Sequence, residues 1–405
     1  MTVTVSSLDA IVKELYDGPG LTEVVHDPSS RPLTADLKKD ESFEGDLLAV
    51  PIFWGEQGGR SALFDVAQST LEATELGQFQ IDVGENYGVA RITSKAMKKA
   101  RSNRGAFVKG LQHTIDAKVN QVANDVEANL FRSSSGAIAT IGTGGVSGTT
   151  ITLSKPAEIA AIGKNQHLVF AASATATPRQ SGTSAKVTSV NRVVGSFVID
   201  ATPTSTAAAD LVFNKGDYVA ASDKKKIYGL EDWIPAAVAG ATAFFGVDRS
   251  EDTRLQGLYT TGSTSDIAGS IYEGAALLGR MGNAIPNRAY LSFDNFRKLN
   301  IQMGGKAERD KESGSAKAGY TSLAVYGPKG LIEVVAATFC QDTIVWLLTM
   351  DKLCLLSMGP VVDIFEDDGM RVQRISNAAG VEVRVESFAQ LYTNMPCGHC
   401  RITLS

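Results

Sequence analysis

GAFVKGLQHTIDAKVNQVANDVEANLFR, residues 105–132, contains no proline and keeps one periodicity from end to end. Val108, Leu111, Ile115, Val119, Val122, Val126 and Leu130 recur at steps of three or four, the period of an α-helix. At about 1.5 Å per residue the helix would be roughly 42 Å long. Burying seven such side chains contributes on the order of 10–20 kcal/mol before entropy is subtracted. The opposite side carries Lys109, Asp116, Lys118, Gln121, Asp125 and Glu127, which predicts a face in water. A long helix wet on one face reads as a beam carrying a sheet. Around it the sequence reads mainly as strands, hairpins and loops.

The 405 residues are enough for two or three domains with real cores. Apolar residues make up 43% and charged residues 20%, as in ordinary globular proteins. A net charge of −5 argues against a dedicated nucleic-acid binder, which would be basic over a whole face. The opening MTVTVSSLDAIVKEL lacks the basic segment and apolar run of a signal peptide. No apolar run is long enough for a membrane-spanning helix, so no membrane partner is expected. Four cysteines are too few for a secreted disulfide framework, which predicts a reduced protein made in the cytoplasm.

Residues 1–45 read as an arm. A short helix is expected over Ser7–Tyr16, with Ser6 and Asp9 forming a capping box, before DGPG and HDPSSRP break the chain. So little apolar surface needs another surface to lie on. In residues 46–93, Leu47–Trp54 and Phe79–Thr93 read as strands around GEQGG and a helical piece at Ser61–Ala73. Paired, they would reach roughly 45 Å at about 3.3 Å per residue. A lone two-stranded hairpin is marginal in water, so this one wants a partner surface.

Charge supports that reading. Residues 65–85 carry Asp65, Glu72, Glu75, Asp82 and Glu85 and no basic residue. Residues 95–109 carry Lys95, Lys98, Lys99, Arg101, Arg104 and Lys109 and no acid. We read Glu72, Glu75, Asp82 and Glu85 as one side of an assembly contact, and Lys98, Lys99, Arg101 and Arg104 as its receiving side. Such patches set register and encounter rate more than affinity. Two separate solvated faces would look the same in sequence. The basic run also suits weak, non-specific contact with DNA phosphates, although its single aromatic, Phe107, offers little for base stacking.

The long helix ends a segment 94–134. Residues 135–225 then change character. SSSGAIATIGTGGVSGTT reads as a flexible linker, followed by strands at Thr149–Leu153, His167–Ala171, Ser184–Val190, Ser196–Asp200 and Asp217–Ala221. This Thr-rich stretch reads as an inserted small β-barrel or sandwich. From 226 onward the chain is mixed. Helices are expected over Ser265–Gly282 and Asp294–Met303, with strands at Arg288–Ser292, Gly330–Ala336, Thr343–Thr349, Lys352–Met358, Val361–Phe365, Met370–Ser376 and Val381–Leu391. GGKAERDKESGSAKAG between them reads as an exposed loop.

The sharpest local motif is CGHC, Cys397–Cys400. A redox pair needs a helix N-terminus to activate the first thiolate, and here RITLS follows, which reads as a strand. The motif reads as structural thiols; a disulfide between subunits, a metal site with His399, and catalysis stay as alternatives. GTGGVSG (142–148) lacks the Lys-Ser/Thr of a phosphate loop and precedes a strand. His26, His113, His167 and His399 are scattered, and His113 falls on the wet side of the long helix. We find no nucleophile, base and orienter set, and therefore assign no catalytic residue, no metal ligand and no cofactor.

Arm, acidic loop, long helix, mixed domain and a long closing strand occur in that order. The order resembles the major capsid proteins of tailed double-stranded DNA bacteriophages, the Hong Kong 97 (HK97) fold, over nearly the whole chain. KIYGLEDWIP (226–235), PNRAYLSFDNFRKL (286–299) and VEVRVESFAQLYTNMPCGHCRITL (381–404) are similar to recurring stretches of that family. The resemblance implies an α+β, HK97-like capsid fold: N-terminal arm 1–45, extended loop 46–93, spine helix of a peripheral domain 94–134, inserted β domain 135–225, mainly axial domain 226–360, and peripheral strands with the C-terminus 361–405. It implies a non-enzymatic subunit that forms pentamers and hexamers of an icosahedral head around DNA, assembled in the host cytoplasm, with a portal and, in some relatives, a decoration protein as partners. Some relatives crosslink through a lysine in the extended loop. This chain has none between Lys39 and Lys95, so no such bond is expected. Nor does a long charged scaffolding segment precede the arm, which predicts a separate scaffolding protein, or none. An encapsulin-like compartment shell is the rival of the same fold. A thiol- or metal-dependent enzyme built on Cys397 and Cys400 is the rival of another class.

Overall fold

The computed structural model describes residues 2–3, 31–94, 104–201, 205–218, 226–303, 323–366, 373–375 and 379–405. The expected helix at Ser7–Tyr16, its capping box and the loop 304–319 lie outside them. The chain divides into two compact units. One comprises 1–35, 84–227 and 357–389, the other 36–83, 228–356 and 390–405.

In the first unit the long helix runs Arg104–Phe131. Val122, Val126, Leu130 and Phe131 are buried, as the periodicity predicts. The strand Gly84–Thr93 packs against it. A Cβ at Gly88 would meet Val122 Cγ2 at 2.6 Å, so glycine lets helix and strand approach. That strand pairs antiparallel with Gly380–Thr393, in register from Thr93 opposite Gly380 to Gly84 opposite Ala389. Thr2–Val3 adds in parallel on its other edge. The expected wet face of the helix is only partly so. Asp116 is exposed, but Glu127 is fully buried and Lys118, Gln121 and Asp125 are partly covered. At Glu127 the reason is a second layer: the short helix Pro32–Asp36 lies against it, through hydrogen bonds from Leu33 and Thr34. His113 belongs to the part of this helix whose side chains are not described.

Six strands of the same unit close into a barrel, in the order Ser196–Ile199, Thr150–Leu153, Ala137–Ser147, Leu211–Asn214, His167–Ala171, Ala185–Asn191. Ile141, Ile151, Leu168, Phe170, Val187, Phe197 and Val212 fill it. Two expectations are corrected here. The glycine-rich stretch taken for a linker is the strand Ala137–Ser147, bulged between Ile141 and Val146. At Gly145 a Cβ would lie 2.4 Å from the Thr152 carbonyl, so these glycines serve close backbone approach at a barrel corner. The closing strand is Leu211–Asn214, while Asp217 lies beyond it in a turn and Tyr218 follows that turn.

The second unit is built on a six-stranded sheet, ordered Leu258–Gly262, Cys400–Leu404, Ile344–Leu348, Arg288–Leu291, Gly330–Ala336, Leu323–Gly327. Ile344–Leu348 is buried on both faces. Helices Ile267–Leu277 and Phe293–Met303 cover the sheet, bringing Ile267, Ile271, Ala275 and Leu299 into its core. Asp266 caps the first by accepting the Gly269 N–H at 3.0 Å. Its last turn, Leu278–Gly282, widens into a π-helical turn. Beside the sheet, Leu353–Ser357 runs parallel to Lys38–Asp40.

Candidate functional site

The same unit carries the hairpin of Leu48–Phe53 and Leu76–Ile81, six residue pairs from Leu48 opposite Ile81 to Phe53 opposite Leu76. This corrects the expected single strand Phe79–Thr93. It is interrupted after Ile81, and only its first part pairs with Leu48–Phe53. The ladder is therefore about 20 Å long, not 45 Å. The expected helical piece shrinks to Phe64–Ser69.

The two ends of the hairpin differ. At one end Val50, Phe79 and Ile81 are buried. Phe79 meets Trp233 edge-on at 5.3 Å and Phe244 at 6.4 Å, and Gln80 donates its N–H to the Phe245 carbonyl at 2.8 Å. Arg254 braces the far end of the first strand by donating to the Trp54 carbonyl at 2.8 Å. Beyond that point apolar side chains stand in solvent: Phe53 is 63% exposed, Phe64 77%, Leu71 64% and Leu76 72%. Helix Phe64–Ser69 buries none of its residues. Gly58 and Gly59, both with positive φ, turn the chain, and the crossings Gly59 N–H to Thr70 O and Glu72 N–H to Gln57 O hold the tip together. Exposed apolar side chains grouped in this way are the kind that a partner surface can cover. Leu63, Phe64, Val66, Leu71 and Leu76 were visible in the sequence; their exposure was not.

Of the acidic residues, Glu72 and Glu75 lie together on this tip and are exposed. Asp82 is exposed just past the ladder and accepts the Val83 N–H. Glu85 belongs to the other unit, is half-buried, and accepts from the Tyr87 hydroxyl at 3.2 Å. Lys98, Lys99 and Arg101 lie outside the described residues, and Arg104 is described only as the first residue of the long helix.

The CGHC segment is built as packing. Cys397 and Cys400 are buried and free, and burial raises both thiols, Cys400 to about 12. Their sulfurs face different carbonyls, Gly282 for Cys397 and Arg401 for Cys400. A thiolate at neutral pH is disfavoured at both. His399 is enclosed: Nδ1 accepts the Thr349 N–H at 3.3 Å, so Nε2 carries the proton and donates to Thr393 Oγ1 at 3.1 Å. Burial pushes this imidazole down to about 4. Among the described residues no group of three or more His, Cys, Asp or Glu side chains is placed to hold a metal, and no helix is long and apolar enough to cross a membrane.

No protein-family model matches the chain, and no curated protein matches its sequence. Solved structures do match. The capsid of cyanophage A-1(L) is similar over 96% of this chain and 95% of its own, at 13% identity and a TM-score of 0.53. The capsid of a native GTA particle is similar over 98% of both chains, at 10% identity and a TM-score of 0.50. The chain therefore has the fold of these phage-type capsid subunits along nearly its whole length. The holo-SrpI encapsulin complex from Synechococcus elongatus also matches, at a TM-score of 0.46 and 8% identity, too weakly to weigh a compartment shell against a phage head.

Proposed function

We propose that this protein is the major capsid protein of a tailed double-stranded DNA phage, a structural subunit without enzymatic activity that assembles with copies of itself into the pentamers and hexamers of an icosahedral head. One observation carries the reading: a hairpin anchored by Phe79 at one end and bare at the other, in a chain with a capsid fold. A free subunit leaves Phe53, Phe64, Leu71 and Leu76 in water; a neighbouring copy covers them. Contacts between different patches on successive copies close into rings and shells. Glu72 and Glu75 on the tip, with Asp82 and Glu85 further along the chain, steer that docking toward Lys98, Lys99, Arg101 and Arg104 of the same or a neighbouring subunit. A fold by itself does not fix a function, and the exposed apolar tip supports the reading beside the fold.

Negative-stain microscopy of the chain expressed alone, after size exclusion, tests the reading. Closed shells or rings of five and six support it. Phe64→Ser combined with Leu71→Ser should abolish them while leaving the subunit folded, because both side chains are exposed. A second variant with Lys98, Lys99 and Arg101 all changed to Glu should lower shell yield far more than it lowers stability. A normal yield from that triple variant would reject the charge pairing. DNA inside particles from infected cells, rather than an enzyme cargo, separates a phage head from a compartment.

A further inference from the structure

The hairpin tip needs an apolar seat as well as opposite charge, and the six-stranded sheet of the second unit offers one. Helix Ile267–Leu277 runs into the π-helical turn Leu278–Gly282, and the strands Leu323–Gly327 and Gly330–Ala336 meet at a tight turn with Gly327 opposite Gly330. Between these two turns lies a shallow recess walled by Ala275, Gly279, Ala284, Gly327, Gly330 and Ile332. Gly279 keeps it open: a Cβ there would meet only Lys329 Cε, at 3.9 Å. Ile285, also in the wall, is exposed, and so are Met281, Tyr326 and Leu331, each within two residues of the wall along the chain. Two cations border it. Lys329 lines the recess and Arg280 follows Gly279; both are exposed, and neither has an ion-pair partner among the described residues. The acid of the second strand, Glu333, is taken by Arg288. Glu273, the nearest acid along the helix, lies about two turns before Arg280.

The tip complements this surface in charge and in polarity. Phe64 and Leu71 stand in solvent there, with Asp65, Glu72 and Glu75 close to them in the chain and exposed. Among the described residues the tip's ion pair is Glu56 with Arg60, which leaves those three acids unpaired. We propose that the recess receives the hairpin tip of a neighbouring copy, with Phe64 and Leu71 on its small-residue wall and Glu72 and Glu75 at Lys329 and Arg280. The occupant is a second copy because within one subunit Phe64 and Leu71 stay 77% and 64% exposed, so a subunit's own recess does not cover them. Tip and recess are different patches, so the contact is heterologous: each copy gives its tip to the next and receives one from the last, which closes rings. Glycine and alanine walls let the incoming side chains approach the backbone, and the flexible stem of Lys329 lets its amine follow the acid. Docking takes the apolar groups out of water, and the charges fix which way the tip lies. This seat rests on the capsid reading, since it needs successive copies of the chain.

Crosslinking with mass spectrometry tests it. Unlabelled and isotope-labelled full chains are assembled together, treated with a carbodiimide, which joins a carboxylate to a lysine amine with loss of water, and digested. The expected products are mixed-isotope peptides that join Glu72 or Glu75 to Lys329. Links between copies that run from these acids only to other lysines, such as Lys98 and Lys99, overturn the seat and leave the capsid reading standing. No link between copies at all also overturns the seat, and DNA-filled particles from infected cells then judge the capsid reading separately. Charge reversal gives a second readout. Arg280→Glu with Lys329→Glu should lower the yield of shells or rings by about tenfold or more at unchanged circular dichroism, because both side chains are exposed. Adding Glu72→Lys and Glu75→Lys to that chain should restore the yield. A normal yield from the first variant, or no recovery in the second, overturns the pairing.

Discussion

The carboxylate of Glu127, midway along the buried part of the long helix, accepts the backbone N–H of Leu33 at 2.9 Å. Its second oxygen accepts the Thr34 N–H at 2.8 Å and the Thr34 hydroxyl. A fully buried acid thus caps the helix Pro32–Asp36, whose first N–H groups have no partner within their own helix. Burial raises this carboxyl, and the three hydrogen bonds work against that rise.

Removing the cap leaves buried donors unsatisfied. Glu127→Ala should lower stability by about 2–4 kcal/mol. Glu127→Gln should recover only part of the loss, because one acceptor becomes a donor facing a donor. Urea unfolding measures both. A midpoint for Glu127→Ala equal to that of the wild type would show that the arm segment contributes nothing to stability.

His399 fixes an acid limit. Its folded-state value, about 4, lies below the ordinary 6.5, so the unfolded chain binds the proton more readily. The associated stability is complete above pH 6.5 and is lost as pH falls toward 4, up to roughly 3 kcal/mol. Asp125 runs the other way. With its value raised to about 6, the fold binds the proton more readily, so that contribution improves as pH falls from 6 toward 4. In a His399→Gln variant the loss of stability between pH 6.5 and 4 should shrink relative to wild type. Parallel curves would reject the assignment.

Gly282 has no room for a side chain. A Cβ there would lie 2.2 Å from the Cys397 carbonyl oxygen, which is backbone and cannot swing away, and 3.4 Å from Leu278 Cδ2. Gly282→Ala should cost about 2–4 kcal/mol. Gly279, three residues earlier in the same turn, faces only Lys329 Cε at 3.9 Å, so Gly279→Ala should be neutral or stabilise by up to about 1 kcal/mol. Denaturation of the pair distinguishes tight packing from helix propensity.

Thiol chemistry should follow burial. Cys354 is half-buried, whereas Cys340, Cys397 and Cys400 are buried. Iodoacetamide under native conditions should label Cys354 first and Cys397 and Cys400 only as the chain unfolds. Faster labelling of either CGHC thiol would return weight to a redox role.

The long helix, the buried strands of the second unit and the barrel strands His167–Ala171 and Ser196–Ile199 could be read directly from the residues, because each carries its own period of apolar side chains. Val122, Val126 and Leu130 announce a buried stripe wherever the helix ends up. Glu127 and Asp125 could not be read in this way. In sequence Glu127 is one more acid on a polar face, and it is buried only because the segment 31–36, almost a hundred residues away, lies on it. The glycine run at 142–148 misled for the same reason: its lack of side chains signals freedom locally, whereas the barrel uses it for backbone contact with Thr152. The hairpin shows the division most clearly. Its strands follow from local alternation, but which of its apolar residues meet Trp233 and which stay in solvent is set by long-range packing. Periodicity is a property of neighbours along the chain, and burial of a polar or apolar group is a property of neighbours in space.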